Sequence, residues 1–179
     1  ENDVKSKMGE LTKLSTEFLH AVLSARYGEQ QSRKIFTDDD LWKHPMEVSK
    51  EYPVVLSTTF SSRSSLKNVT YDYLIMDEAS QVDVATGALA LSCARNAVIV
   101  GDLKQLPNVV NDEMKRRSNA VFDMFDLPQG YSFSENSFLT SICSLLSQVP
   151  QTLLREHYRC HPKIIGFCNQ KFYQNELVV

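Results

Sequence analysis

The sequence has no apolar run near the roughly 18 residues that a membrane-spanning helix needs, so no membrane partner is expected. It has no surplus of positive charge: 19 Lys and Arg stand against 22 Asp and Glu, for a net charge of -3. That excludes a histone-like basic binder, and any nucleic-acid contact must come from a local groove. Cysteine is scarce, and Cys93, Cys143, Cys160 and Cys168 form no C-x-x-C pair and no regular framework. Reduced thiols in a cytoplasmic setting, or a nuclear one in a eukaryote, fit that usage. There is no internal repeat and no low-complexity tract. The first residues, ENDVKSKMGE, carry neither an apolar signal core nor an initiator Met, so the chain is expected to start inside a longer one. What is present is ordinary globular material: 179 residues, 42% hydrophobic and 23% charged. That length is enough to bury roughly 70% of the surface the unfolded chain exposes.

Val4, Met8, Leu11, Leu14, Phe18 and Val22 recur at three- and four-residue steps, which predicts an amphipathic helix over 3–27, docked or paired along its apolar stripe. A polar hinge from Gly28 to Lys34 follows, then Thr37-Asp38-Asp39-Asp40, a helix N-cap sequence. Three consecutive aspartates lack the alternating spacing of a metal loop. Residues 1–51 therefore read as an accessory helical segment. From Tyr52 the pattern changes to apolar strands ending in polar loops: 53–57, 73–76, 97–100 and 152–154. Helices are predicted over 83–93, 111–125 and 136–148. The strands show no polar alternation, which predicts a mainly parallel sheet with helices on both faces, an α/β fold.

Three motifs carry chemistry. In Leu74-Ile75-Met76-Asp77-Glu78-Ala79-Ser80-Gln81 a strand ends in two carboxylates, at the edge where open α/β sheets place their reactive crevice. One such carboxylate can hold a nucleotide's magnesium ion (Mg2+), directly or through water, while its neighbour takes a proton from an attacking water. A capping Asp with a first-turn Glu explains the dipeptide equally well. The second motif, Val98-Ile99-Val100-Gly101-Asp102-Leu103-Lys104-Gln105-Leu106-Pro107, breaks that tie by putting another polar loop on the same edge. Gly101 permits a sharp turn there and Pro107 stiffens the exit. The amide of Gln105 can donate to a phosphate oxygen while accepting from a water. The third is Leu154-Arg155-Glu156-His157-Tyr158-Arg159-Cys160-His161-Pro162. Pro162 turns His161 away from helical geometry, which argues against a zinc site with His157 and Cys160. Tyr158 offers a stacking face and Arg159 a planar fork matched to phosphate.

Together these motifs resemble the superfamily 1 helicases, in the group that contains the nonsense-mediated-decay and Okazaki-fragment-processing helicases. D-E-A-S-Q is similar to their motif II and G-D-L-K-Q-L-P to their motif III. H-Y-R-C-H-P, with Phe167, Asn169 and Phe172-Tyr173, is similar to their motif IV region. The run Val54 to Thr59 resembles the strand and loop that touch the single strand. The likeness covers about residues 53–177. It implies a partial RecA-like (P-loop NTPase) parallel sheet: residues 52–150 as the back half of the first core domain, and 151–179 leading toward the second. It further implies that ATP and Mg2+ are the cofactors, with Asp77 on the metal and Glu78 orienting or deprotonating the water. Gln105 and Arg159 would approach the γ-phosphate, and Tyr158 the adenine. Ser57, Thr58, Thr59 and Ser61 would meet single-stranded nucleic acid, DNA in preference to RNA. His157, Cys160 and Asn108 depart from the family's usual Gln, Met and second Pro, and His157 puts the polar contact of that Gln in doubt.

The largest departure is an absence. None of the six glycines is followed by Lys, so no G-x-x-x-x-G-K-[ST] occurs and nothing here cradles the β-phosphate. The expected function is thus a segment of an ATP-dependent helicase that carries hydrolysis residues but is inactive alone, its partners being the remaining helicase domains. The rival is a noncatalytic nucleic-acid or protein-binding module of degenerate helicase type. A metal nuclease built on Asp77, Glu78 and Asp102 would leave Gln105 and Arg159 idle.

Overall fold

The computed structural model describes residues 2–28 and 34–178, so most of the expected hinge, residues 29–33, lies outside the described residues. The chain divides into two compact units, residues 1–44 and 45–179.

The first unit holds α1 (Asn2–Tyr27) and α2 (Asp38–Lys43). The periodic helix forms as expected, with its apolar stripe in solvent: Val4, Met8, Leu11, Leu14 and Phe18 are all exposed, Phe18 by 72%. α2 begins where the aspartates predict. The N–H and Oγ1 of Thr37 donate to Asp40 Oδ2 at 2.8 and 2.9 Å. Those bonds hold the Asp40 carboxyl below the usual carboxylate range. The acidic run is a cap, and no metal-ligand cluster occurs among the described residues.

The second unit contains α3 (Pro45–Glu51), β1 (Tyr71–Met76), α4 (Val84–Leu91), β2 (Ala94–Ile99), α5 (Asp112–Phe122), α6 (Phe138–Leu145) and α7 (Pro162–Phe172). β1 and β2 pair in parallel, with Tyr71 opposite Ala94 and Met76 opposite Ile99. The crossover through α4 is what a parallel pair requires. Asp83 caps α4 by accepting from Thr86 N–H at 2.8 Å, and Ser137 starts α6, whose Phe138 N–H donates to the Val82 carbonyl at 2.7 Å. The core is Met76, Ala79, Ala90, Phe138 and Leu139, with Leu74, Ile99 and Ile142 packed against it. A Cβ on Gly87 would lie 2.2 Å from the Phe138 ring, so glycine is what lets α4 and α6 approach.

Three expectations need correction. First, helices cover one face of the sheet: Leu74 and Met76 face the core, while Tyr73, Ile75 and Val98 on the opposite face are 66%, 72% and 47% exposed. An unbroken apolar run is written for burial on both sides, but among the described residues only one side has partners. Second, residues 53–57 form no strand, and Val54 and Leu56 are 77% and 92% exposed. A strand exists only where a neighbour completes its ladder, and among the described residues the sheet is β1 and β2 alone. Third, 152–154 is likewise unpaired; instead the segment two residues later bridges to the chain's last described turn, Val178 N–H donating to the Arg155 carbonyl at 2.8 Å and His157 N–H to the Val178 carbonyl at 3.1 Å. α7 was not expected, although Pro162 at its first position and His161 at its N-cap are its signals in the sequence.

Candidate active site

The ends of β1 and β2 are locked side by side. Val100 N–H donates to the Met76 carbonyl at 2.8 Å, and Ala79 N–H to the Val100 carbonyl at 2.9 Å. The chain therefore delivers Asp77-Glu78 and Gly101-Asp102 to one edge, as the two motifs predict. Asp77 Oδ1 accepts from Glu78 N–H at 2.9 Å, and the carboxylate is exposed. Glu78 itself is left-handed, φ 53 and ψ 38, a conformation that costs a non-glycine residue about 1–2 kcal/mol. Such strain is kept where the fold over-determines it, and here buried Ala79 and Ser80 fix the residue's C-terminal side. Gln81 Nε2 reaches Glu78 Oε2 only at 3.5 Å.

Gly101 is required, though not for a turn, since no glycine here has a positive φ. A Cβ on it would stand 2.9 Å from Leu139 Cδ2 and 3.2 Å from the backbone nitrogens of Ala79 and Ser80. The loop that follows is pinned to the same turn, Asn108 N–H donating to the Ser80 carbonyl at 3.1 Å. Within the loop Asp102 is the hub. Its Oδ1 accepts from Lys104 N–H at 2.8 Å, and its Oδ2 from Gln105 Nε2 at 3.2 Å and from the Tyr173 hydroxyl. Partial burial works against ionisation of Asp102, but the bonds from Tyr173, Lys104 N–H and Gln105 outweigh it and hold the carboxyl below the usual range. The same bond to Asp102, with some burial, pushes the Tyr173 phenol up to about 12. Tyr173 is a site neighbour that sequence reasoning did not single out. Its only signal was its place in the Phe172-Tyr173 pair.

The third motif is held differently. Tyr158 is 86% exposed and its hydroxyl donates to the Glu156 carboxylate, which raises the phenol's pKa. Arg159 is exposed and pairs with no carboxylate among the described residues, so it is not consumed by Glu156. His157 Nε2 accepts from Cys160 N–H at 2.9 Å and lies 3.0 Å from Cys160 Sγ, a local turn with no third ligand. Asn169 is buried and bonds Leu177 through both ends of its amide at 3.0 Å, so its role is to close the chain behind α7.

The expected strand-contacting residues sit in a hydroxyl-rich series of turns. Thr58 Oγ1 donates to Ser61 Oγ at 3.1 Å and accepts from Ser61 N–H at 3.2 Å, while Ser65 Oγ donates to Ser57 Oγ at 3.0 Å. Ser57, Thr58 and Ser61 are exposed and Thr59 is half-buried.

A parallel pair of strands joined by a helix, with carboxylates and a glycine-led loop at their carboxyl ends, is an α/β arrangement of P-loop-like kind. A family model described as an AAA domain matches residues 5–113, and the chain belongs to that family. The match includes most of α1 as well as both strands. The chain is 32% identical over 139 residues to the uncharacterized ATP-dependent helicase MG140 of Mycoplasma genitalium, covering 76% of this chain and 12% of that protein. It is 29% identical over 134 residues to the probable helicase MAGATAMA 3 of Arabidopsis thaliana, covering 73% and 14%. With the 5'-3' DNA helicase ZGRF1 of Mus musculus it shares 28% over 116 residues, covering 63% and 5%. The chain thus spans at most 14% of the length of these three relatives.

Proposed function

We propose that this chain is a segment of a superfamily 1 helicase of the nonsense-mediated-decay and Okazaki-processing group, supplying part of a site that hydrolyses ATP to drive movement along single-stranded nucleic acid. In this reading residues 52–150 are the back half of a RecA-like domain, 151–179 lead to a second core domain, and 1–51 are accessory. The observation that carries it is the locked strand-end edge: one carboxylate pair and one Gln-bearing loop, brought together by hydrogen bonds between Met76, Ala79 and Val100. The helicase relatives support the same reading.

The donor set fits Mg2+, which takes one or two protein carboxylates, several waters and the nucleotide's phosphates, and does not need a cluster of protein ligands. Asp77 is such a carboxylate, with Oδ1 engaged by its neighbour's N–H and Oδ2 left to accept. When bound, the ion neutralises charge on the phosphates. Glu78, turned outward by its left-handed backbone, accepts the proton of the attacking water. Arg159, which pairs with no carboxylate among the described residues, compensates charge that spreads over the transferring phosphoryl oxygens. Tyr158 stacks on the adenine. Gln105 contacts the γ-phosphate once its amide leaves Asp102. Ser57, Thr58, Thr59 and Ser61 reach the backbone of a DNA strand through hydroxyls, without sequence preference.

The test uses the full-length protein and the 179-residue chain side by side. The full-length protein should hydrolyse ATP when single strands are present and lose that activity in Glu78→Gln. The isolated chain should show no turnover, because nothing in it cradles the β-phosphate. Turnover by the pure chain that Glu78→Gln abolishes would overturn the half-site assignment.

A further inference from the structure

Residues 102 and 173 are 71 positions apart, yet their side chains meet: the Tyr173 hydroxyl donates to the same carboxylate oxygen, Asp102 Oδ2, that accepts from Gln105 Nε2. The other oxygen of Asp102 accepts from Lys104 N–H at 2.8 Å. One carboxylate therefore holds the loop backbone, the Gln105 amide and the end of α7. Tyr173 is the C-cap residue of α7, and the helix's N-cap is His161, two residues beyond Arg159. An 11-residue helix is a rigid rod of roughly 16 Å, so displacement at one end reaches the other. Ile165 and Asn169, both buried on α7, keep the rod seated, and Asn169 clamps Leu177 just beyond it.

We propose that Tyr173 is a positioning residue that couples the Gln105 loop to α7, and through α7 to Arg159, by way of Asp102. The coupling to hydrolysis rests on the function proposed above. The tie itself does not. With Tyr173 in place, Oδ2 is shared between two donors, and Gln105 is poised to exchange Asp102 for a phosphate oxygen. When Gln105 makes that exchange, Oδ2 is left to Tyr173 alone and the bond to α7 tightens. The two groups expected at the γ-phosphate are then linked first by a hydrogen-bonded relay of side chains, Gln105 to Asp102 to Tyr173, that has two arrangements, and then by the body of α7. A two-state element is what a coupling path physically requires. A hydroxyl kept only to fill space at the helix end would predict none of this.

The experiment has two parts. In the 179-residue chain, Tyr173→Phe and Asp102→Asn are compared by NMR, reading the Gln105 side-chain amide and the Lys104 backbone amide. Both substitutions should move those resonances while amides of β1 and α4 stay in place. In the full-length protein, Tyr173→Phe should lower kcat for ATP about three- to tenfold, with KM changed less than about twofold. The double variant with Gln105→Ala should be no slower than Gln105→Ala alone. Lys104 and Gln105 resonances unmoved in Tyr173→Phe, whatever Asp102→Asn does, or strictly additive losses in kcat, would overturn the proposal. If Gln105→Ala itself turns over like the wild type, the function proposed for Gln105 falls, and the NMR result still judges the tie.

Discussion

Two regions of the second unit carry equally legible motifs and are built to different standards. At the strand ends, the residues that bear chemistry are placed by backbone bonds between β1 and β2 and by close packing on Gly101. In the segment from Leu153 to Pro162, Tyr158 and Arg159 stand in solvent on a chain held before them through Arg155 and His157 to Val178 and after them by the cap of α7. The difference teaches that motif spelling specifies chemistry, whereas geometry comes from whatever packs behind the motif. The first region has α4 and α6 behind it; the second has nothing of comparable extent among the described residues.

The largest expected effect would break this comparison outright. In the full-length protein, Arg159→Ala should lower ATP turnover by roughly 10²-fold or more, as loss of a preorganised charge stabiliser does, despite the residue's loose setting here. Steady-state turnover with saturating single strands is the measurement. Wild-type turnover would mean that the loosely held region contributes no chemistry, and that the well-packed edge is the whole of this chain's site.

A pair of glycine substitutions sharpens the contrast at the level of stability. Gly101→Ala would force its methyl onto Leu139 and onto the nitrogens of Ala79 and Ser80, so the unit should lose about 1–3 kcal/mol in urea unfolding. Gly166→Ala, inside α7 with nothing within 4 Å of the added methyl, should instead gain about 0.5–1 kcal/mol. Equal losses at both positions would show that α7 is packed as tightly as the strand edge.

The same contrast accounts for what the sequence made legible. β1, β2, α4 and α6 were readable because period, caps and apolar runs all point one way and each finds its partner within the unit: Asp83 caps α4, Ser137 caps α6, and Phe138 fills the gap left by Gly87. The runs 53–57 and 152–154 have equally good strand composition, but a strand is a relation between two chains of backbone, and no strand partner lies beside them among the described residues. The covered second face failed for the same reason at Tyr73, Ile75 and Val98. At the site, the joining of Asp77-Glu78 to the Gly101 loop was legible from two motifs at two strand ends. The Asp102 hub was not, because its third donor, Tyr173, arrives from 71 residues away and leaves no local pattern.

A smaller effect concerns the hydroxyl-rich turns. Thr58 Oγ1 already bonds Ser61 at both nitrogen and oxygen, so part of its capacity is spent inside the loop. Thr58→Ala with Thr59→Ala in the full-length protein should weaken single-strand affinity only about three- to tenfold, the worth of one or two neutral hydrogen bonds. The loss should be similar for every sequence tested in a fluorescence-anisotropy titration. Unchanged affinity would remove these turns from the nucleic-acid path.

The smallest expected effect is on pH dependence, and it isolates the contact between the Gly101 loop and the end of α7. The Asp102 carboxyl lies below the usual range when folded, so its bonds contribute stability above the unfolded value of about 3.9 and lose it as pH falls through the lower folded value. The Tyr173 phenol is raised to about 12, so its contribution is complete below the unfolded value of about 10 and disappears as pH climbs from there toward 12. The hydrogen bond between the two side chains contributes to both slopes, alone among the bonds to Asp102 in doing so, and Tyr173→Phe removes its donor. The variant should therefore show a shallower loss of stability on acidification below about pH 4 and a shallower alkaline loss between about pH 10 and 12. Urea midpoints measured across both ranges would decide it. Lys104 N–H and Gln105 still hold Asp102 in the variant, so the acid difference should be the smaller of the two. The slope that remains comes from other raised groups, such as Tyr71, whose pKa is raised mainly by burial, and Lys115, which bonds Glu135. An alkaline slope as steep in Tyr173→Phe as in the wild type would mean that the contact between Asp102 and Tyr173 carries no measurable share of the unit's stability.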